Sequence, residues 1–98
     1  MIMNPNQYQE IESFIKVTLL KVISLLDDET INAVNHYLDH SEVEMAFEIL
    51  YLEIMAQPPT LSMIDPTKSR STALLLGLDK ETIFEPNFWT MLDTFLDS

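Results

Sequence analysis

The chain has 98 residues, with five Lys or Arg against sixteen Asp or Glu and a formal charge of -11. That imbalance repels nucleic-acid backbones and anionic membrane surfaces at low and moderate ionic strength, and it favours a basic protein as partner. The absence of cysteine excludes a disulfide framework and a thiolate site, and an apolar content of 47% in 98 residues fits one domain, 1-98.

There is one glycine, Gly77, and the β-branched residues do not alternate as in strands. The expected fold is all-α, a compact bundle of about four to five helices. The first helix is predicted from about Asn6 to Leu26, with Tyr8, Ile11, Ile15, Leu19, Val22 and Leu26 at helical spacing. Phe14, Thr18 and Leu25 widen this stripe. Asp27 or Asp28 caps a second helix, whose apolar side is Ile31, Val34, Tyr37 and Leu38.

Ser41 followed by Glu44 has the spacing of a capping box and opens a third helix that stops before Pro58. The prolines of "QPPTLSMIDPTKS" make the 57-66 segment the expected longest connection. Asp65 and Pro66 then start a fourth helix over about Thr67 to Leu76, closed by Gly77. After a short turn from Asp79 to Phe84, Pro86 begins a last helix packed through Phe88, Trp89, Leu92, Phe95 and Leu96. The opening "MIMNPNQYQEIE" has no basic segment leading into an apolar run, and no stretch reaches the roughly 18 apolar residues of a membrane span. A soluble, unprocessed, cytoplasmic chain without membrane contact is expected.

The third helix poses the functional question. At 100° per residue, Val43, Ala46, Phe47, Leu50, Tyr51 and Ile54 share one face, and Met45, Ile49, Leu52 and Ala56 form a second. Glu44 and Glu48 fall in one gap between these faces, Glu42 and Glu53 in the other. Two readings are open: carboxylates escaping to solvent from a wedged helix, or an anionic patch for a basic ligand.

Other chemistry is sparse. His36 and His40 have a zinc-compatible spacing with Glu44 four residues on, but the chain holds no further His or Cys to complete a site, so capping or surface roles are expected. There is no calcium loop, nucleophile elbow or glycine-rich phosphate loop. Ser69 and Ser71, beside Lys68 and Arg70, are expected on a helix surface. No enzymatic activity and no cofactor are expected. The Trp89 cluster, with Phe88, Met91, Leu92 and Phe95, is expected in the core, with a self-associating interface as the alternative; a homo-oligomer stays open.

"LGLDKETIF" resembles the "GxDSL" site of acyl carrier proteins, but Lys80 stands where the attachment serine belongs, which removes that mechanism. "VNHYLDHSEVEMAFEILYLEIM", Val34 to Met55, resembles a stretch of small bacterial immunity proteins of contact-dependent growth inhibition and related polymorphic toxin systems. The resemblance lies in His40-x-Glu42-x-Glu44-x-Ala46-Phe47-Glu48 and the following Leu50. It implies a noncatalytic cytoplasmic protein that binds and neutralises a cognate toxin domain, a basic partner and in many such systems a nuclease. Under that resemblance Asp39, Glu42, Glu44 and Glu48 are the expected partner-binding residues, with Glu53, Asp27, Asp28 and Glu29, or Asp93 and Asp97, as other placements. The alternative function is a self-associating regulatory or structural helical domain.

Overall fold

A short polar segment at Asn4 sets the first helix. Asn4 Oδ1 accepts from the Gln7 amide at 2.8 Å and Gln7 Oε1 accepts from the Asn4 amide at 3.3 Å, a reciprocal cap that fixes the helix start one residue ahead of Asn6. Pro5 takes the first position, where its missing N–H costs nothing. The computed structural model describes residues 4-57 and 61-97. Five helices follow in order: α1 (Pro5–Val22), α2 (Asp28–Asp39), α3 (Val43–Ala56), α4 (Pro66–Leu75) and α5 (Phe88–Leu96). The protein is all-α, and no strand occurs among the described residues.

α1 ends earlier than its apolar stripe. After Val22 the chain tightens into a 3-10 turn, Ile23–Leu25, so Leu26 is only half-buried and Leu25 is exposed. Ile11, Phe14, Ile15, Thr18, Leu19 and Val22 form the buried face. Asp27 is the cap of α2, accepting from the Thr30 amide at 2.8 Å, and this bond holds the Asp27 carboxyl below the usual aspartate range. No helix among the described residues is long and apolar enough to cross a membrane.

The capping box expected at Ser41 and Glu44 does not form. Ser41 adopts φ 61°, and its amide donates to Leu38 O at 3.2 Å while the Glu42 amide donates to Tyr37 O at 2.8 Å. This is a left-handed closure of α2, so Ser41 ends one helix and Glu42 precedes the next without a side-chain cap. Gly77 does the same for α4, at φ 74°, with Leu78 N donating to Ala73 O and Gly77 N to Leu74 O, each at 3.0 Å.

α3 is the central helix, packed against α1, α2 and α5. Its first face, Val43, Ala46, Phe47, Leu50, Tyr51 and Ile54, is completely enclosed, and Phe47 stacks on Tyr51 with centroids 4.2 Å apart while meeting Phe88 edge-on at 6.3 Å. Each such large apolar side chain contributes about 1.5–3 kcal/mol relative to exposure. The second face is half-buried at Met45, Ile49 and Leu52.

Two expectations about connections change. Pro58 and Pro59 lie outside the described residues; the rest of that connection contains a 3-10 turn, Leu61–Met63, and a buried Ile64. The longer connection is 76-87, between α4 and α5. It consumes Pro86, because Phe88 N donates to Glu85 O at 3.0 Å and closes a turn before α5 starts at Phe88.

Candidate functional site

The 76-87 connection has no helical ladder of its own over 82-85, so its amides need acceptors from elsewhere. Glu48 supplies them. It lies on α3 with no exposed surface, and its two oxygens accept from Ile83 N at 2.8 Å, Phe84 N at 2.8 Å and Glu85 N at 2.7 Å. Consecutive amides converging on one carboxylate form an anion-binding nest, here filled by a side chain of the same molecule. The Thr82 hydroxyl donates to Glu85 O at 2.7 Å and the Asn87 amide donates to Glu85 Oε2 at 2.9 Å, which finishes the loop. Glu48 therefore leaves the expected surface patch: it is a buried anchor of the loop.

The other three expected residues stay at the surface. Asp39 ends α2 and is exposed, Glu42 is half-buried before α3, and Glu44 is half-buried in the first turn of α3. Glu44 borders a shallow depression with Glu81, Lys80 and Ile83, so the loop held by Glu48 sits beside it. Glu53 is on another edge, sharing a depression with Asp27 and Glu29. Asp93 and Asp97 are tied to α4: Arg70 pairs with Asp93, and its second nitrogen lies 2.8 Å from Asp97. Among the described residues, none of Asp39, Glu42 and Glu44 is held in a salt bridge.

Ser69 also departs from expectation. It is fully buried and shares a 2.6 Å hydrogen bond with the Tyr51 hydroxyl, whereas Ser71 is on the surface and donates to Lys68 O. Burial pushes the Tyr51 hydroxyl up to about 12, against the opposing effect of the Ser69 bond. His36 and His40 are exposed and adjacent, with centroids 4.3 Å apart and His40 Nδ1 2.8 Å from His36 O. No three His, Asp or Glu among the described residues are grouped to hold a metal ion. In α5, Phe88 and Leu92 are buried, Trp89 and Phe95 pack half-buried on the core, and Met91 is exposed.

What the sequence reading missed is the loop itself. Ile83 and Phe84 are 47% and 41% exposed, and the Phe84 ring lies 5.9 Å from that of Tyr37 on α2. The available signal was an apolar pair in a segment with no helical period, immediately before the Glu85-Pro86 turn. No protein-family model, curated protein or solved structure matches this chain.

Proposed function

We propose that this protein is a noncatalytic binding module of the immunity type, which neutralises a basic toxin domain in the cytoplasm by covering it with an acidic surface. The observation that carries this reading is the set Asp39, Glu42 and Glu44, around the junction of α2 and α3 and without salt-bridge partners among the described residues, on a chain of charge -11. Carboxylates in such a setting steer a cationic surface into encounter and can occupy positions that substrate phosphates would take. The resemblance over Val34–Met55 supports the same reading.

The test is co-expression with the product of the neighbouring upstream gene, with pull-down and a growth readout. Complex formation with rescue of growth is the expected result; neither binding nor rescue would end this reading.

A second reading, self-association, is favoured by the outer side of α1 and the turn after it, where Val17, Leu20 and Leu25 are exposed. Light scattering across a concentration series decides it, and a monomer at every concentration would exclude it.

A further inference from the structure

We propose that the loop held by Glu48 is the centre of the partner interface, inserting Ile83 and Phe84 into an apolar pocket that Lys or Arg residues border on a basic protein. This rests on the binding reading above and adds which residues make the contact and what chemistry receives them.

Ile83 and Phe84 expose 47% and 41% of their surface next to each other, on a segment that lacks the ladder of a helix. Such a pair on a slack loop would lose much of its contact energy to ordering when bound. Here the ordering is done in advance: three successive amides, those of Ile83, Phe84 and Glu85, are bonded to a carboxylate with no solvent exposure. A buried Glu is an expensive way to hold a loop unless every bond is made, and these bonds fix the backbone directly under the two exposed side chains. Rigid aromatic and aliphatic anchors of this kind carry most of the energy of protein interfaces.

The anchors are continuous with α2. The Phe84 ring meets Tyr37 at 5.9 Å, Tyr37 meets His36 at 5.5 Å, and His36 meets His40 at 4.3 Å, so a row of rings runs from the loop along the helix. Carboxylates outnumber the one cation beside it: Glu44 and Glu81 share a depression with Ile83 and Lys80, and Asp39 immediately precedes His40 in the chain. An apolar centre with an acidic rim fits a partner of opposite design, an apolar pocket with a basic rim. A second copy of this chain is the poorer occupant, since it brings the same rim and another charge of -11.

The experiment measures association and dissociation rates of the upstream gene's product with the wild-type protein, Ile83→Ala, Phe84→Ala and the double variant Glu44→Gln/Glu81→Gln. Thermal melts confirm that each variant is folded. Phe84→Ala and Ile83→Ala should each speed dissociation by about tenfold or more. The carboxylate variant should slow association and flatten its salt dependence. Hydrogen exchange on the free wild-type protein, which needs no partner, should show slow exchange at the amides of 83-85.

Toxin binding and rescue with dissociation unchanged in both alanine variants would overturn this inference and leave the binding reading standing. Failure of the wild-type protein to bind or rescue would remove both. Fast exchange at 83-85 would overturn the preformed loop whatever the partner. Conversion of a dimer to a monomer by Phe84→Ala would make a second copy the occupant and overturn the basic-partner assignment.

Discussion

Glu48 Oε2 accepts a hydrogen bond from the Phe84 amide at 2.8 Å, across a separation of 36 residues, and the same oxygen accepts from Glu85 at 2.7 Å. One buried side chain on α3 thus fixes the connection that leads into α5. Glu48→Gln keeps the shape but presents an NH2 group, which donates, where one accepting oxygen stood. The expected loss is about 1–3 kcal/mol, because at least one buried amide is left without an acceptor. Glu48→Ala should cost more. Urea titration of the three proteins checks this, and a midpoint for Glu48→Gln equal to that of wild type would show that the carboxylate does not hold the loop.

The two left-handed helix ends predict opposite signs. Gly77 is at φ 74° with no atom within 4 Å of where a Cβ would lie, so Gly77→Ala suffers from backbone conformation alone, by about 1 kcal/mol. Ser41 already bears that strain at φ 61°, and Ser41→Gly should raise stability by up to about 1 kcal/mol. Thermal melts of both variants test the pair; a stabilised Gly77→Ala would contradict the closure described for α4.

Tyr51 sets an alkaline limit. Its ionisation is raised to about 12 by burial, so the folded state holds this proton where the unfolded chain has released it. The contribution to stability is complete below the unfolded tyrosine range and is lost as pH rises through about 12. Ultraviolet titration of the three tyrosines should show one late step, and Tyr51→Phe should delete it. Persistence of that step in Tyr51→Phe would assign it to another ring.

Arg70 joins α4 to α5 through Asp93 and Asp97, but these groups are 33%, 45% and 72% exposed in their side chains. Solvent screening limits such pairs, so Arg70→Met should cost less than about 1 kcal/mol, and the difference from wild type should shrink in high salt. A loss that is large and salt-independent, read from urea midpoints, would mean that packing of the Arg70 stem matters more than its charge.

The toxin-facing reading makes a separate forecast for the surface acids. Asp39→Lys and Glu44→Lys should slow association with a basic partner while leaving the melting temperature close to wild type, since Asp39 is exposed, Glu44 is only half-buried, and both lie outside any described salt bridge. Equal association rates for wild type and both variants, measured at low salt, would count against electrostatic steering through this corner.

Much of the fold was legible in local patterns. The stripe on α1, the Asp27 and Asp65 caps, the Gly77 stop and the enclosed face of α3 are each set by residues within a turn or two of one another, and they appear where spacing and capping rules place them. Where local rules competed, position in the chain did not show which would win. Ser41 carried a sound signal for starting α3, yet the closing of α2 claimed it: with Ser41 left-handed, the Glu42 amide reaches back to Tyr37 O at 2.8 Å, beside the Ser41 amide on Leu38 O.

The sequence by itself determined an acidic, cysteine-free, all-helical chain and the apolar faces of its helices, since charge is additive and amphipathic period is local. Only the tertiary structure decided which polar residues were left for solvent. Ser69 went inside to meet Tyr51, and Glu48 went inside to meet amides 35, 36 and 37 residues away, while Glu44, one turn earlier on the same helix, stayed at the surface. The physical reason is that a polar side chain can be buried when distant backbone groups arrive to bond it, and no pattern along α3 encodes where the chain after Gly77 will return.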